Sequence, residues 1–178
     1  ASAAIFTARA GLSTVVVDEG KGITRRAEVN NHLGLPEGIS GPELVTRGRE
    51  HAEKSGATWV EGAAEAIEGS AGAFTVRLAD GRELTAAHVV LATGTSVTLA
   101  EAAGVATVPG TEPRIKQIVS VDADGRTSVP GIWAAGTVAG VSVHTIVTAG
   151  DGARVAINVI REVRGARHVD HDVLPAAG

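Results

Sequence analysis

The chain contains no cysteine at all, and aromatic residues make up only 2% of it. Without cysteine there can be no disulfide, no thiolate metal site, no cysteine nucleophile and no redox-active dithiol within this sequence. With so few aromatic side chains, a hydrophobic core has to be built from Ala, Val, Ile and Leu. The absence of cysteine therefore removes several kinds of catalysis before any motif is considered.

The sequence also has no excess of positive charge, no long apolar run and no methionine. The net charge of −4 offers no basic surface for nucleic acid, and no segment approaches the roughly 18 apolar residues of a membrane span. We therefore expect neither kind of partner, and a cytoplasmic location. Since there is no methionine, the chain cannot begin at an unprocessed translation start, and its first residues are not typical of a signal peptide.

The most informative segments are two short apolar runs that each stop at a glycine. One is residues 88–94, with the letters HVVLATG, and the other is residues 127–137, TSVPGIWAAGT. Such runs are typical of buried parallel strands, whose C-terminal turns let a ligand approach the backbone. They predict an α/β fold with a ligand site beside glycine turns.

The first twenty residues form the second half of a βαβ unit. Residues 1–11 have a helical apolar stripe, and residues 13–20 are a β-branched run that ends in Asp18 and Glu19. In dinucleotide-binding folds an acid at this point bonds the ribose of the adenosine half, and Asp18 is preferred because it directly follows the valines. A solvated charge at the end of a strand is the alternative.

A glycine-rich phosphate loop belongs just before that first helix, where its backbone N–H groups and the start of the helix would bind a pyrophosphate. Residue 1 already lies past that point. We expect either that the loop and its strand have been lost, which the absence of methionine favours, or that the protein functions without them. If the strand is missing, the sheet lacks its central member.

The rest of the chain alternates between extended, helical and loop patterns. These predict a loop over 20–41, a helix over 43–55, a parallel strand over 58–61, an antiparallel meander over about 63–86, an irregular stretch over 95–118, a short strand over 119–122, a helix over about 143–163 and a frayed tail over 166–178. The length of 178 residues fits one domain, which we place at residues 1–165.

Histidine patterns leave two questions open. His144 stands at the start of the last helix, where it is either an ordinary polar residue or a donor to a bound ligand, and His32 has the same alternatives in the first loop. His168 and His171 lie beside two aspartates and have the ligand types of a metal site. The tail lacks supporting partners, so we expect no metal.

The order of these motifs resembles the FAD-binding half of thioredoxin reductases, a family of flavoprotein disulfide reductases. Residues 28–34, EVNNHLG, resemble the family's V-E-N-x-P-G loop, and Asn31 matches the asparagine that bonds the cofactor. Asn30 replaces the usual Glu, and Leu33 replaces the usual Pro. The resemblance extends from Ser2 to about Val163, so it covers nearly the whole chain.

Later motifs strengthen the resemblance and contain its main departure. Residues 143–152, VHTIVTAGDG, resemble R-Q-A-I-x-x-A-G-x-G, where the last helix points its first N–H groups at the flavin. Gly136 matches the glycine of the last flavin turn, but Thr137 replaces the aspartate that accepts a hydrogen bond from a ribityl hydroxyl. A threonine hydroxyl can accept this bond as a neutral partner, about half as strongly.

The resemblance implies a three-layer Rossmann-like FAD-binding domain with a parallel sheet and a small antiparallel β-meander. It implies that FAD is bound by Asp18, Glu19, Asn31, Ala63, Thr93, Gly94, Gly136, Thr137, His144 and Thr145. Residues 95–126 stand where the family has a whole NADPH domain, and they are too few to form one.

The expected function is that of a FAD-dependent oxidoreductase with an external electron donor and no internal dithiol. The donor would be a ferredoxin-like protein, a separate reductase or a diffusing reductant, and the family implies a homodimer. Because there is no cysteine, this chain alone is excluded as a thioredoxin reductase. Two alternatives remain open: a flavin or nucleotide sensor that acts through the loop at 20–41, and a degenerate scaffold without cofactor.

Overall fold

A computed structural model describes residues 1–173 of the chain. The helices are Ser2–Arg9 (α1), Gly41–Lys54 (α2), Thr98–Ala102 (α3) and Thr145–Arg164 (α4). The strands are Val15–Asp18 (β1), Glu28–Val29 (β2), Ile39–Ser40 (β3), Thr58–Glu61 (β4), Ala64–Ser70 (β5), Ala73–Leu78 (β6), Glu83–Ala86 (β7), Val89–Leu91 (β8), Thr107–Pro109 (β9), Gln117–Val119 (β10) and Ile132–Ala134 (β11). Two 3₁₀ turns span Ile23–Arg26 and Gly136–Ala139.

Helix α2 shows how local sequence sets these boundaries. The Ser40 hydroxyl accepts the Glu43 backbone N–H at 3.3 Å, which caps the start of the helix, and proline lies in its first turn. Ion pairs four residues apart, Glu43 with Arg47 and Arg49 with Glu53, support its exposed face. The predicted helix over 43–55 is confirmed.

The predicted parallel sheet is confirmed, but it consists of two separate pairs. β1 runs parallel to β4, with Val16 opposite Trp59, and β8 runs parallel to β11, with Val90 opposite Trp133. Within the described residues no strand joins the two pairs. The expectation that the sheet lacks its central member stays a prediction.

Strand β1 turns one backbone edge away from its partner β4. The Thr58 N–H donates to the Thr14 carbonyl and the Gly62 N–H to the Asp18 carbonyl, so the alternation of a parallel ladder turns the N–H and C=O of Val15 and Val17 away from β4. Val15 is accordingly 47% exposed, unusual for a valine in a strand of this kind.

The second pair lies between two layers, so that three layers are stacked here. Leu91, Ile132 and Ala134 pack towards the meander β5–β7 and α3, against the buried ring of Phe74. Trp133 and its neighbour Ala135 pack on the opposite face, against Val155 and Val159 of α4. Successive strand residues therefore face opposite layers, as a pleated strand requires.

The first pair is covered on the helical side. Ala4 and Ala8 of α1 pack with Ala52 of α2, and Val16 and Trp59 contribute from the strands. The antiparallel meander over about 63–86 is confirmed, with its strands in the order β5-β6-β7.

The prediction of an irregular stretch over 95–118 is wrong. This stretch contains α3 and the antiparallel pair β9 and β10, in which Thr107 lies opposite Val119. A five-residue helix has too few turns to show a periodic pattern, yet Ala100 and Val105 are buried in the core. The strand expected at 119–122 ends instead at Val119, and the loop over 20–41 contains the small antiparallel pair of β2 and β3.

The boundaries of the domain and its tail stay predictions. Asp170 and Asp172 both pair with Arg9 at the end of α1, which brings the part of the tail that is described onto the surface. The remainder of the predicted frayed tail, 174–178, lies outside the described residues. None of the helices in residues 1–173 combines the length and apolar character needed to cross a bilayer.

Candidate cofactor site at the ends of the parallel strands

The two glycine turns predicted from the sequence lie side by side. Leu91 and Ala134 are neighbours in the ladder, and the Ala135 N–H donates to the Leu91 carbonyl at 2.9 Å. Both strands therefore end at one edge, where the segments 92–94 and 135–137 leave the sheet together.

Both turns use a left-handed backbone, with φ of +68° at Gly94 and +80° at Gly136. A Cβ atom at Gly94 would meet nothing within 4 Å, and one at Gly136 would lie 3.8 Å from the Thr148 Cβ. The glycines are therefore required by the turn conformation and not by crowding within the chain. They leave open space around the main chain of both turns.

The start of α4 completes the same region. The N–H groups of Val147 and Thr148 both donate to the His144 carbonyl at 3.0 Å, so those of Thr145 and Ile146 precede the first intrahelical bond. The Thr145 hydroxyl oxygen is buried and has no partner among the described residues. This helix start therefore holds two backbone donors and one hydroxyl with no acceptor within the helix.

The backbone dipole of α4 favours an anion at its start. There is no acidic residue in its first turn, and Arg161 and Arg164 lie in its last turn. The helix dipole places a partial positive charge at the N-terminus, where anions are stabilised. His144 is exposed and its Nδ1 lies 2.8 Å from the Ser142 hydroxyl, so its side chain does not cap the helix.

Thr137 lies within the 3₁₀ turn that begins at Gly136, and it is 5% exposed. Its carbonyl accepts the Gly140 N–H at 3.0 Å, which closes the turn. Behind the turn, the Asp151 carboxylate of α4 accepts the Gly136 N–H at 2.7 Å. A buried carboxylate thus lies next to the position where the resembling family has its aspartate.

A cleft of about 300 Å³ lies at the carboxyl ends of β1 and β4. It is lined by Asp18, Glu19, Gly20, Arg25, Arg49, Trp59, Glu61 and Gly62. The Asp18 carboxylate accepts the Gly20 N–H at 2.9 Å and lies 3.5 Å from the Arg25 guanidinium. Glu19 pairs with Lys21 on the surface. Ala63 directly follows Gly62, whose N–H donates to the Asp18 carbonyl at 3.1 Å, so it belongs to this end as well.

The N-terminus of α1 connects this cleft with α4. The Ser2 hydroxyl donates to the Ala149 carbonyl at 2.6 Å. Ala1, which precedes α1, lies near the Asp18 carboxylate. The start of α1 therefore stands between the acidic end of β1 and the first turns of α4.

Two residues from the first loop, Asn31 and His32, have no side-chain hydrogen bond to the segments described above. Asn31 is exposed between β2 and β3 and makes no hydrogen bond within the described residues. His32 has its Nδ1 at 3.1 Å from the Leu33 carbonyl. The roles that the sequence suggests for Asn31 and His32 stay predictions.

Several residues of the site were not found from the sequence. Arg25 and Arg49 reach the cleft from a 3₁₀ turn and from α2, and nothing in their local pattern points there. Asp151 was missed because an acidic residue on a helix is usually exposed. In the described part of the chain no three His, Cys, Asp or Glu side chains lie close enough to hold a metal ion.

The fold and this site define an α/β domain with a candidate ligand site at the carboxyl ends of its parallel strands. A profile of the pyridine nucleotide-disulphide oxidoreductases matches residues 40–153, which is more than half of the sequence. The chain belongs to this family.

Curated relatives match part of the chain. The thioredoxin reductase of Aquifex aeolicus is 37% identical over 98 residues, covering 52% of this chain and 30% of the relative. The NADPH-dependent thioredoxin reductase 3 of Arabidopsis thaliana is 33% identical over 100 residues, covering 52% of this chain and 19% of the relative. The matched part thus spans less than a third of these relatives.

Solved structures share the fold at lower identity. The atypical thioredoxin reductase TRi of Desulfovibrio vulgaris Hildenborough has a TM-score of 0.77 at 20% identity, covering 90% of this chain and 94% of that one. The oxidoreductase of Agrobacterium tumefaciens has a TM-score of 0.79 at 17% identity, with coverage of 92% and 94%. At these identities the likeness establishes the three-layer α/β fold.

Proposed function

We propose that this chain is a FAD-dependent oxidoreductase domain that resembles the FAD half of thioredoxin reductase, takes electrons from an external donor and has no internal dithiol. The observation that carries the proposal is the meeting of three segments, 92–94, 135–137 and 144–148, at one end of the β8–β11 pair. Family membership and the thioredoxin reductase relatives support the redox class.

The residues present fit the ring and ribityl part of FAD. A polar ring edge of the flavin would hydrogen-bond the buried Thr145 hydroxyl and the first N–H groups of α4, which have no partner within the helix. The open space at Gly94 would let the ring approach the main chain. Thr137 would accept a ribityl hydroxyl as a neutral partner. The start of α4 would favour negative charge on the pyrimidine side.

The adenosine half has a second set of residues at the cleft. Asp18, with Glu19 beside it, would accept hydrogen bonds from ribose hydroxyls, and the backbone near Ala63 would lie along the adenine. The start of α1 stands between the two ends, where the pyrophosphate would lie. Asn31 would reach the cofactor only if its exposed loop folds over the site.

When bound, the flavin would supply electron transfer, and the chain would supply orientation and electrostatics. The protein residues would hold the ring edge at α4, hold the ribityl chain at the Gly136 turn and keep the ribose at Asp18. The absence of cysteine means that the electron acceptor lies outside this chain. A ferredoxin-like protein or a separate reductase would be the donor, and we propose a homodimer located in the cytoplasm.

The scaffold alternative is favoured by one observation, the neutral Thr137 in place of an aspartate. Titration of the purified protein with FAD separates the alternatives. We expect a yellow complex that bleaches with dithionite, whereas a colourless protein that never saturates would support the scaffold. Turnover with reduced ferredoxin or NADPH would then distinguish an enzyme from a sensor.

A pair of glycine variants makes the test specific for the site. Gly94→Ala places a side chain in the turn where backbone would approach the cofactor, and we expect weaker FAD binding. Gly104→Ala is the matched control, because Gly104 has a similar φ of +72° and equally open surroundings but lies after α3. Equal effects of the two variants would mean that backbone strain alone explains the loss.

A further inference from the structure

Asp151 is the one buried residue in the described part of the chain that carries a charge, with 7% of its surface exposed. It lies in the second turn of α4, on the side that faces the Gly136 turn. Burying a carboxylate costs several kcal/mol unless hydrogen bonds and an opposite charge offset the loss of hydration. The hydrogen bonds and ion pairs of Asp151 should therefore offset this cost.

Both carboxylate oxygens are occupied. Oδ2 accepts the Gly136 N–H at 2.7 Å, which is short for an N–H donor and typical of a charged acceptor. Oδ1 accepts from the Arg154 guanidinium, with Nε at 3.0 Å and Nη2 at 2.8 Å. One carboxylate oxygen thus binds a turn of the candidate site, and the other binds the Arg154 guanidinium on the same helix.

Arg154 is itself held in place, because its Nη1 donates to the Ala123 carbonyl in the loop before β11. A chain of contacts therefore runs from this loop through Arg154 and Asp151 to the Gly136 amide. Gly136 has no side chain of its own to fix the turn, and glycine is the most mobile residue of an unrestrained backbone. The Asp151 carboxylate therefore adds a contact from α4 to a turn that is otherwise held by backbone hydrogen bonds alone.

We infer that Asp151 is a positioning residue: its carboxylate holds the Gly136–Thr137 turn in the orientation that presents Thr137 to the ribityl chain. The inference rests on the proposed function for its ligand. The same carboxylate places a negative charge directly behind the turn, on the side of α4. Asp151 does not need to touch the cofactor to act in this way.

Amide exchange of Gly136 tests the inference without any cofactor. Asp151→Ala removes the acceptor, and we expect the Gly136 amide to exchange at least about tenfold faster than in the wild type after correction for global stability, or about 1.4 kcal/mol. Asp151→Asn leaves one acceptor oxygen for the Gly136 N–H and the Arg154 guanidinium, so its exchange rate should lie between those of the wild type and Asp151→Ala. Unchanged exchange in Asp151→Ala would overturn the inference.

Asp151→Asn decides the question even if Asp151→Ala does not fold. A neutral acceptor deshields the amide proton less than a carboxylate, so the Gly136 amide proton should move upfield. The matched control is Asp80→Asn, since Asp80 also accepts a backbone N–H and an arginine, both from Arg82, but lies in the meander turn. It should move the Arg82 amide and leave Gly136 unchanged. A Gly136 proton that does not respond to Asp151→Asn would contradict the inference.

Titration of the same variants with FAD gives a separate test. If the wild type binds FAD, Asp151→Ala should weaken the affinity at least about tenfold, Asp151→Asn less, and Asp80→Asn not at all. Wild-type affinity in Asp151→Ala would overturn the positioning role. If the wild type does not bind FAD, the proposed function fails, and the amide measurements still decide whether Asp151 holds the turn.

Discussion

Replacing Thr145 by valine should stabilise the cofactor-free protein and weaken FAD binding. The Thr145 hydroxyl oxygen is buried at the start of α4 and has no partner among the described residues. An unsatisfied buried polar group costs about 1–3 kcal/mol, and valine has nearly the same shape without that group. We expect a gain of about 1 kcal/mol, which for a chain of this size raises the melting temperature by about 2–4 °C.

The opposite sign is expected for the complex. If the hydroxyl bonds the cofactor, its loss removes a neutral hydrogen bond of about 0.5–1.5 kcal/mol, so the affinity for FAD falls about two- to tenfold. Thermal unfolding of the free protein and a fluorescence titration with FAD measure the two effects on the same variant.

Thr148→Val is the matched control, one turn further along α4. The Thr148 hydroxyl donates to the Thr145 carbonyl at 3.1 Å, so its removal should not stabilise the protein. A lower melting temperature for Thr145→Val would refute the reasoning about the free hydroxyl. An FAD affinity of Thr145→Val equal to that of the wild type would refute the assignment of Thr145 to the cofactor.

Two further predictions concern stability and self-association. A hydrogen bond from Arg126 lowers the pKa of Asp124, so this pair stabilises the fold above the unfolded pKa, and the contribution is lost as pH falls through the folded pKa. Asp124→Asn should therefore reduce the free energy of unfolding in urea at pH 7, and the difference from the wild type should shrink as pH falls below about 4; a difference that does not change with pH would contradict this. Val15→Lys should reduce aggregation, measured by light scattering, because a lysine there blocks the open edge of β1. Val163→Lys is the control, since Val163 is also 47% exposed but lies on α4, and it should not reduce aggregation. An equal effect of the two variants would show that surface charge alone is responsible.

Much of the fold follows from local pattern. The valine run before Asp18 and the apolar runs before Gly94 and Gly136 have the length and composition of buried parallel strands, and the structure has them as such. The meander follows from alternation around a tight turn at Asp80 and Gly81. These features depend on residues that are close to one another in the sequence, so they can be predicted from a single sequence.

The parts that were missed depend on contacts between distant segments. α3 is too short for helical periodicity to appear, and its place is fixed by packing of Ala100 into the core. The burial of Asp151 could not be foreseen, because its partner Gly136 is fifteen residues away and an acid on a helix is usually exposed. Arg25 and Arg49 likewise reach the cleft only through the arrangement of their elements.

The most direct test of the account is a titration of isotope-labelled protein with FAD, followed by the backbone amide signals. The account predicts that Gly94, Gly136 and Thr145 shift together and saturate at the same FAD concentration, because one ligand contacts all three segments. Signals that do not move, or that move only near Asp18, would contradict a single site at the ends of the parallel strands.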